Sequence, residues 1–135
     1  MNGNLIEKIE SQDQLFALVI RNGYRPAGIE FLGSPDLNQQ IGIMSHPAGH
    51  IIKRHIHKPV KREISGTSEA ILIVEGIVEA EIYDNERNPI KNTVLKKGDI
   101  IFLISGGHGF TVSKDAVMFE VKQGPYLGMD DKERF

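Results

Sequence analysis

The chain has 135 residues, of which 40% are hydrophobic and 25% charged, as in an ordinary single globular domain. It contains no cysteine, which excludes disulfides, thiolate metal sites and cysteine nucleophiles. The net charge of −2 gives no reason to expect nucleic acid or an anionic membrane as a partner, and no apolar run approaches the roughly 20 residues of a membrane span. The N-terminus lacks the basic start and apolar core of a secretory signal, so we expect a cytoplasmic protein.

The first part of the chain predicts a short helix followed by strands. Residues 4–11 predict a helix that Asn4 caps and whose apolar residues lie on one side. The apolar, β-prone residues 14–21 predict a strand that ends at the turn signal Asn22-Gly23. Two further strands are predicted at 28–32 and 40–45.

A glycine turn at 47–49 leads into the next predicted strand, His50 to His57. Residues 58–68 form a basic loop. The second half of the chain alternates short apolar runs with turn residues, and Gly76 marks a turn or bulge within it. Its predicted strands are 69–75, 77–83, 90–95, 100–104, 110–113 and 117–122.

About ten short strands with regular turns predict an all-β sandwich or barrel. We expect one domain of residues 1–135, with its core at about 38–124, an N-terminal extension 1–37 and a C-terminal tail 125–135. No second domain or internal repeat is visible.

Residues 70–74 and 100–104 are apolar at successive positions, which indicates strands that are covered on both faces. One face would fill the barrel. The other would be covered by a second sheet, by the N-terminal strand or by another subunit. We favour a homodimer, with cover from the chain's own N-terminal segment as the alternative.

The pattern His55-Ile56-His57 is the strongest sign of chemistry in the sequence. Alternate residues of a strand share a face, so the two imidazoles would project together, as half of a metal site. Glu69 begins the next apolar run and would supply a carboxylate, with Glu63 in the preceding loop as its rival. His108, in a glycine-rich turn, would supply a third imidazole.

Less specific explanations exist for the same residues. His55 and His57 could be surface residues of an edge strand, and His108 could cap backbone groups of its turn. His46 and His50 flank the turn at 47–49 and are predicted to be surface residues.

Cations surround the two histidines: Lys53, Arg54, Lys58, Lys61 and Arg62. They form either a solvated face or a guide for an anionic small-molecule substrate. The candidates for substrate binding are Lys58, Lys61, Arg62 and Tyr126, although Tyr126 could equally be a packing residue.

The spacing of these residues resembles the two motifs of the cupin superfamily. The first motif is matched by Gly49, His55, His57, Glu69 and Gly76, with the basic loop as a longer interval between its two halves. The second is matched more weakly by Gly98, Asp99, Gly106, Gly107 and His108, with Ile104 in the place of its proline. The resemblance implies a double-stranded β-helix, or jelly-roll barrel, with one divalent metal held by three histidines and one glutamate. The segment 69–76, the turn around His108 and residues 122–126 are also similar to small cupins associated with bacterial surface-polysaccharide synthesis.

Three imidazoles and a carboxylate suit Fe, Mn, Zn, Ni or Co. We expect the metal to act as a Lewis acid in an isomerase or epimerase of a small polar carbonyl or sugar-like compound, with Lys53 as the candidate base if it is buried. The alternatives are an iron-dependent dioxygenase, a metal-dependent binding or sensing protein without turnover, and a metal-free epimerase. The last would use a histidine base with Tyr83 or Tyr126 as the acid.

Overall fold

A computed structural model describes residues 5–135 and shows an all-β protein, as the sequence predicts. It forms two compact units. The described residues up to Tyr24 together with Thr67–Phe135 form the main unit, and Arg25–Gly66 form the insert unit. The closed jelly-roll barrel and the single domain stay predictions. The strands are β1 Ile6–Ser11, β2 Gln14–Ile20, β3 Gly28–Leu32, β4 Ile41–Ser45, β5 Glu69–Tyr83, β6 Pro89–Lys96, β7 Ile100–Leu103 and β8 Gly107–Lys122.

The main unit is one antiparallel sheet that is strongly curled, like half of a barrel. Its strands follow the order β1-β2-β7-β5-β6, and β8 pairs with the other edge of β5. The long strand β5 is central. Its first residues pair with β7, its second half pairs with β6, and β8 accompanies it from end to end.

The β5–β8 ribbon is interrupted near Gly76. The pairing register shifts between Ile73 and Val78, and Gly76 has a φ of 89°. A Cβ atom at this position would meet the Asp115 carbonyl oxygen and would lie 2.6 Å from the Cα of Ala116. Such bulges bend a strand and increase its twist, so this glycine lies where the sheet can curl. The predicted turn or bulge at Gly76 is confirmed as a bulge.

The bulge also changes which residues of β5 face the core. Before it, Ile71 and Ile73 are buried, and after it Val78, Ala80 and Ile82 are buried. One extra residue in a strand moves the buried set from odd to even positions, so both halves of β5 keep an apolar face toward the same core. The core continues into β2 and β7, where most residues are buried.

A charged cluster connects several strands of the main unit. The guanidinium of Arg21 donates to Glu7 at 3.0 Å, to Asp99 at 3.1 Å and to the Thr93 hydroxyl at 2.9 Å. The Lys91 ammonium lies 2.8 Å from the second oxygen of Glu7. Because these residues come from β1, β6, the end of β2 and the turn before β7, the cluster fixes those strands relative to one another.

The helix predicted at residues 4–11 is wrong where the structure can test it, because residues 6–11 form β1. Asn4, its predicted cap, lies outside the described residues. The side chain of Ile9 is buried opposite Ala17 of β2. A tight turn connects the two strands, with Gln12 at a φ of 50° and Asp13 at 63°. The turn contains no glycine, so the Asn-Gly or Asp-Gly pair that usually signals a two-residue hairpin is absent here.

The strand predicted from His50 to His57 is absent, since residues 50–68 contain no strand. Two pairs of predicted strands are each one continuous strand in the structure. The runs predicted on either side of Gly76 form the single strand β5, and those at 110–113 and 117–122 form the single strand β8. His108 therefore lies within a strand rather than in a turn. Among residues 5–135, no helix has the length and apolar character needed to cross a membrane.

We expect Gly76→Ala to lower the free energy of unfolding by at least about 2 kcal/mol, because the new methyl group combines a strained φ with a backbone clash. Gly23→Ala is the matched control: its φ is 105°, but nothing lies within 4 Å of the added carbon. Urea unfolding measures both. Equal losses in the two variants would show that close approach at Gly76 does not matter.

A pH-dependent loss of stability is expected from Glu7. Burial raises the pKa of this carboxyl group, but the hydrogen bonds and charges of Lys91 and Arg21 outweigh burial and leave the pKa below its usual value of 4.5. Its stabilising contribution is therefore complete above about pH 4.5 and is lost as the pH falls through the folded-state pKa. The unfolding free energies of wild type and Glu7→Gln should differ at about pH 7 and converge toward about pH 3.

The control for this experiment is Glu10→Gln, on an exposed position of the same strand. Its difference from wild type should change little with pH. A Glu7→Gln difference that stays constant from neutral to acid pH would contradict the role of the ionised Glu7.

Candidate functional site

The curled sheet brings together two of the predicted ligands, Glu69 and His108. Glu69 begins β5 on the same face as Ile71 and Ile73, while His108 on β8 pairs with Ile82 near the other end of β5. An extended β5 would hold these positions far apart. In the curled sheet, Oε1 of Glu69 lies 3.4 Å from Nε2 of His108, and their side chains are 12% and 30% exposed.

The surroundings of Glu69 favour its ionised form. The hydrogen bond from His108 is the largest influence, and despite the opposing effect of burial the pKa of Glu69 is lowered to about 2. Glu120 also hydrogen-bonds this carboxylate, and the contact raises the pKa of Glu120. Of these two carboxyl groups, Glu69 therefore accepts the hydrogen bond as a carboxylate, and Glu120 more readily holds a proton.

Neighbouring residues of β8 complete the inner side of the sheet around this pair. Lys122 pairs with Glu69 in the register of β5 and β8, and Glu120 pairs with Ile71. Farther along, Met118 and Phe110 are partly buried against the core. The inner side is thus polar around Glu69 and apolar farther along the sheet.

A side-chain amide holds the backbone just before Glu69. Oε1 of Gln123 accepts hydrogen bonds from the Ser68 amide at 2.6 Å and from the Ser68 hydroxyl at 3.2 Å. Since Ser68 immediately precedes β5, this contact fixes the position from which the Glu69 side chain starts.

The Glu69–His108 pair fits two ligands of one metal ion. Donor atoms that each lie about 2.1 Å from an ion are roughly 3.4 Å apart in a tetrahedral arrangement. The separation of the carboxylate oxygen and the imidazole nitrogen is therefore suitable. Within residues 5–135 there is no group of three or more His, Asp or Glu side chains placed to hold a metal. The complete set of four ligands stays a prediction.

His55 and His57 lie in the insert unit, on exposed backbone that is not a strand. They remain neighbours: their ring centroids are 5.3 Å apart and the rings meet edge to face. Nδ1 of His55 lies 2.8 Å from the Lys53 carbonyl oxygen, the geometry of an N–H donor. A histidine that donates from Nδ1 keeps its Nε2 lone pair, the tautomer that a metal ligand requires.

The charged candidates of the basic segment all lie in the insert unit. The side chains of Lys53, Lys58, Lys61, Arg62 and Glu63 are exposed in the insert unit. Their roles as base, substrate ligands and alternative carboxylate stay predictions.

His46, His50 and Tyr126 are all exposed. His46 and His50 stack with ring centroids 4.0 Å apart and planes 6° from parallel. Tyr126 is 83% exposed, and the Lys122 ammonium lies 5.8 Å from its ring centroid. This contact places Tyr126 near the β8 residue that pairs with Glu69, while its role in substrate binding stays a prediction.

Sequence reasoning did not assign Glu120 and Gln123 to the site. Glu120 and Lys122 share a face of β8, and this alternation was readable as an ordinary ion pair. The missing information was the register that sets this face beside Glu69, because register arises from pairing across the sheet and not from local spacing.

The fold and the site together define an all-β protein with a curled antiparallel sheet that holds a carboxylate–imidazole pair on its inner side. No family model matches the chain. No curated protein and no solved structure matches it either.

Proposed function

We propose that the protein is a cupin-like metal-binding protein that holds one divalent transition metal through His55, His57, Glu69 and His108. It acts on a small polar carbonyl or sugar-like compound as an isomerase or epimerase. The observation that supports this proposal most is the Glu69–His108 pair, whose two donor atoms lie 3.4 Å apart although their strand positions are distant.

The donor types limit the metal and its chemistry. Imidazole and carboxylate together suit Fe, Mn, Zn, Ni or Co, and a bound ion of this kind supplies Lewis acidity toward a carbonyl oxygen. Glu69 is ready for a cation because its pKa of about 2 keeps it ionised at neutral pH. The bond between His55 and the Lys53 carbonyl group favours the histidine tautomer that can bind a metal.

The chain's own groups supply the other requirements of the reaction. Exposed Lys58, Lys61 and Arg62 would attract an anionic group of the substrate. Lys53 is the proposed base, although its side chain is exposed in the single chain. Glu120 would hold a proton beside Glu69.

A second candidate function is acid–base catalysis without a metal. The contact between Glu69 and His108 favours this function too. A carboxylate that accepts a hydrogen bond from an imidazole can orient that imidazole as a general base. Of the two tyrosines considered as the acid, Tyr83 already donates to Glu81 at 2.8 Å, and this bond raises the pKa of its phenol. Tyr126 is the more accessible of the two.

Metal binding is tested by titrating chelator-treated, tag-free protein with Co²⁺ and recording the visible absorption of the bound ion. Wild type should bind about one ion per chain, and Glu69→Gln or His108→Gln should weaken binding at least ~10-fold because each removes a ligand. Glu79→Gln is the matched control, since Glu79 lies on β5 and contacts Asn92 instead.

Failure of wild type to bind Co²⁺, Zn²⁺, Fe²⁺, Mn²⁺ or Ni²⁺ would overturn the metal proposal and leave the metal-free alternative. Equal losses in Glu69→Gln and Glu79→Gln would show that the carboxylate at position 69 is not a ligand.

The type of reaction is tested with small ketoses, aldoses and hydroxy-carbonyl acids in D₂O. An isomerase or epimerase should incorporate deuterium at the carbon next to the carbonyl group, with or without O₂, and Lys53→Met should lower that rate at least ~100-fold. Turnover that requires O₂ would instead indicate the dioxygenase. Metal-dependent binding of these compounds without turnover would indicate a sensing or binding protein.

A further inference from the structure

The insert unit has almost no hydrophobic core of its own. Its strands β3 and β4 form a two-stranded sheet, and its residues 50–66 contain no strand. Within Arg25–Gly66, Leu32 is the one buried large hydrophobic side chain. A two-stranded sheet is at best marginally stable in water, so this unit depends on a surface that covers it.

The apolar surface that needs cover is extensive. Eight large hydrophobic side chains of the insert unit are exposed in the single chain: Ile29, Phe31, Met44, Ile51, Ile52, Ile56, Val60 and Ile64. Burying a side chain of this size removes about 60–120 Å² of apolar surface, so one insert unit offers on the order of 500 Å². Exposed apolar area of that extent in a unit of this size is typical of an interface.

The charge of the insert unit is opposite to that of the main unit. Residues 25–66 contain six Lys or Arg against three Asp or Glu, whereas the rest of the chain contains ten against fifteen. Association between an insert unit and a main unit is therefore favoured electrostatically. Two insert units would repel each other.

The main unit offers a matching surface on β8. Among residues 5–135 this strand pairs with β5 alone, so its other edge is open to a further strand. Three of its apolar side chains, Val117, Phe119 and Val121, are exposed beside that edge. The surface thus combines free backbone hydrogen-bonding groups with apolar contact area.

We infer that the insert unit of one copy of this chain docks on the main unit of a second copy, and that each metal site takes its ligands from both copies. This inference rests on the proposed function. His55 and His57 of one copy join Glu69 and His108 of the other. If each docking buries on the order of 500 Å² from both surfaces, the two contacts of a symmetric dimer bury about 2,000 Å², the size of a stable dimer interface.

Two exposed apolar residues test the interface. Ile52, in the insert unit, and Leu127, in the main unit, are each 58% exposed in the single chain. Sedimentation should find wild type dimeric, and Ile52→Asp should raise the dimer dissociation constant at least ~10-fold because the carboxylate is buried on docking. Leu127→Asp should leave it unchanged. A monomeric wild type, or equal effects of the two substitutions, would overturn the inference.

Complementation tests whether the ligands come from both copies. One variant carries His55→Ala and His57→Ala, and the other carries Glu69→Gln and His108→Gln. Each alone has no complete site. After the two are unfolded together and refolded as a mixture, half of the dimers are heterodimers with one intact site, so Co²⁺ binding should recover to about one quarter of the wild-type amount.

No recovery in a mixture that sediments as a dimer, while wild type binds Co²⁺, would show that each site is built within one chain and would overturn the inference alone. Failure of wild type itself to bind Co²⁺ would overturn the proposed metal site, and with it the shared-ligand part of the inference. Sedimentation of Ile52→Asp would still decide the docking.

Discussion

The bulge around Gly76 is the constraint on which the main unit depends. It occurs in the longest pairing of the sheet, where β5 and β8 run side by side, and its glycine adopts a φ of 89° in close contact with the backbone of β8. At the bulge the buried residues of β5 change from odd to even positions, so both halves keep an apolar face toward one core. Glu69 begins β5, and His108 of β8 pairs near the other end of β5. The curl of this ribbon brings Oε1 of Glu69 to 3.4 Å from Nε2 of His108.

The energetics of the site follow from that closeness. A carboxylate with a side chain only 12% exposed would normally resist ionisation, but the His108 hydrogen bond overcomes burial and lowers its pKa to about 2. The neighbouring Glu120 has its pKa raised by the same carboxylate. Of the two neighbouring carboxyl groups, the one that accepts from His108 therefore stays ionised, and Glu120 is the more easily protonated.

Particular residues show how far the sequence predicts this arrangement. The strands β2, β3, β4, β6 and β7 were predicted to within a residue or so, because turn residues bound each apolar run. Glu69 and His108 were predicted as ligands of one metal from their places beside apolar runs, and Gly76 as a turn or bulge. The helix at 4–11 was wrong because pairing with β2 decides the structure of that segment. The strand at 50–57 was wrong because β-prone residues form a strand only where another strand pairs with them. Glu120 was missed because its position beside Glu69 depends on register.

The central claim is that the curl of β5 holds Glu69 and His108 side by side, and NMR of the isotope-labelled, metal-free protein tests it most directly. Nuclear Overhauser effects are expected between the ring protons of His108 and the γ-methylene protons of Glu69, since Nε2 of His108 lies 3.4 Å from Oε1 of Glu69. Assigned spectra in which both side chains show contacts to their own strands but none to each other would contradict it.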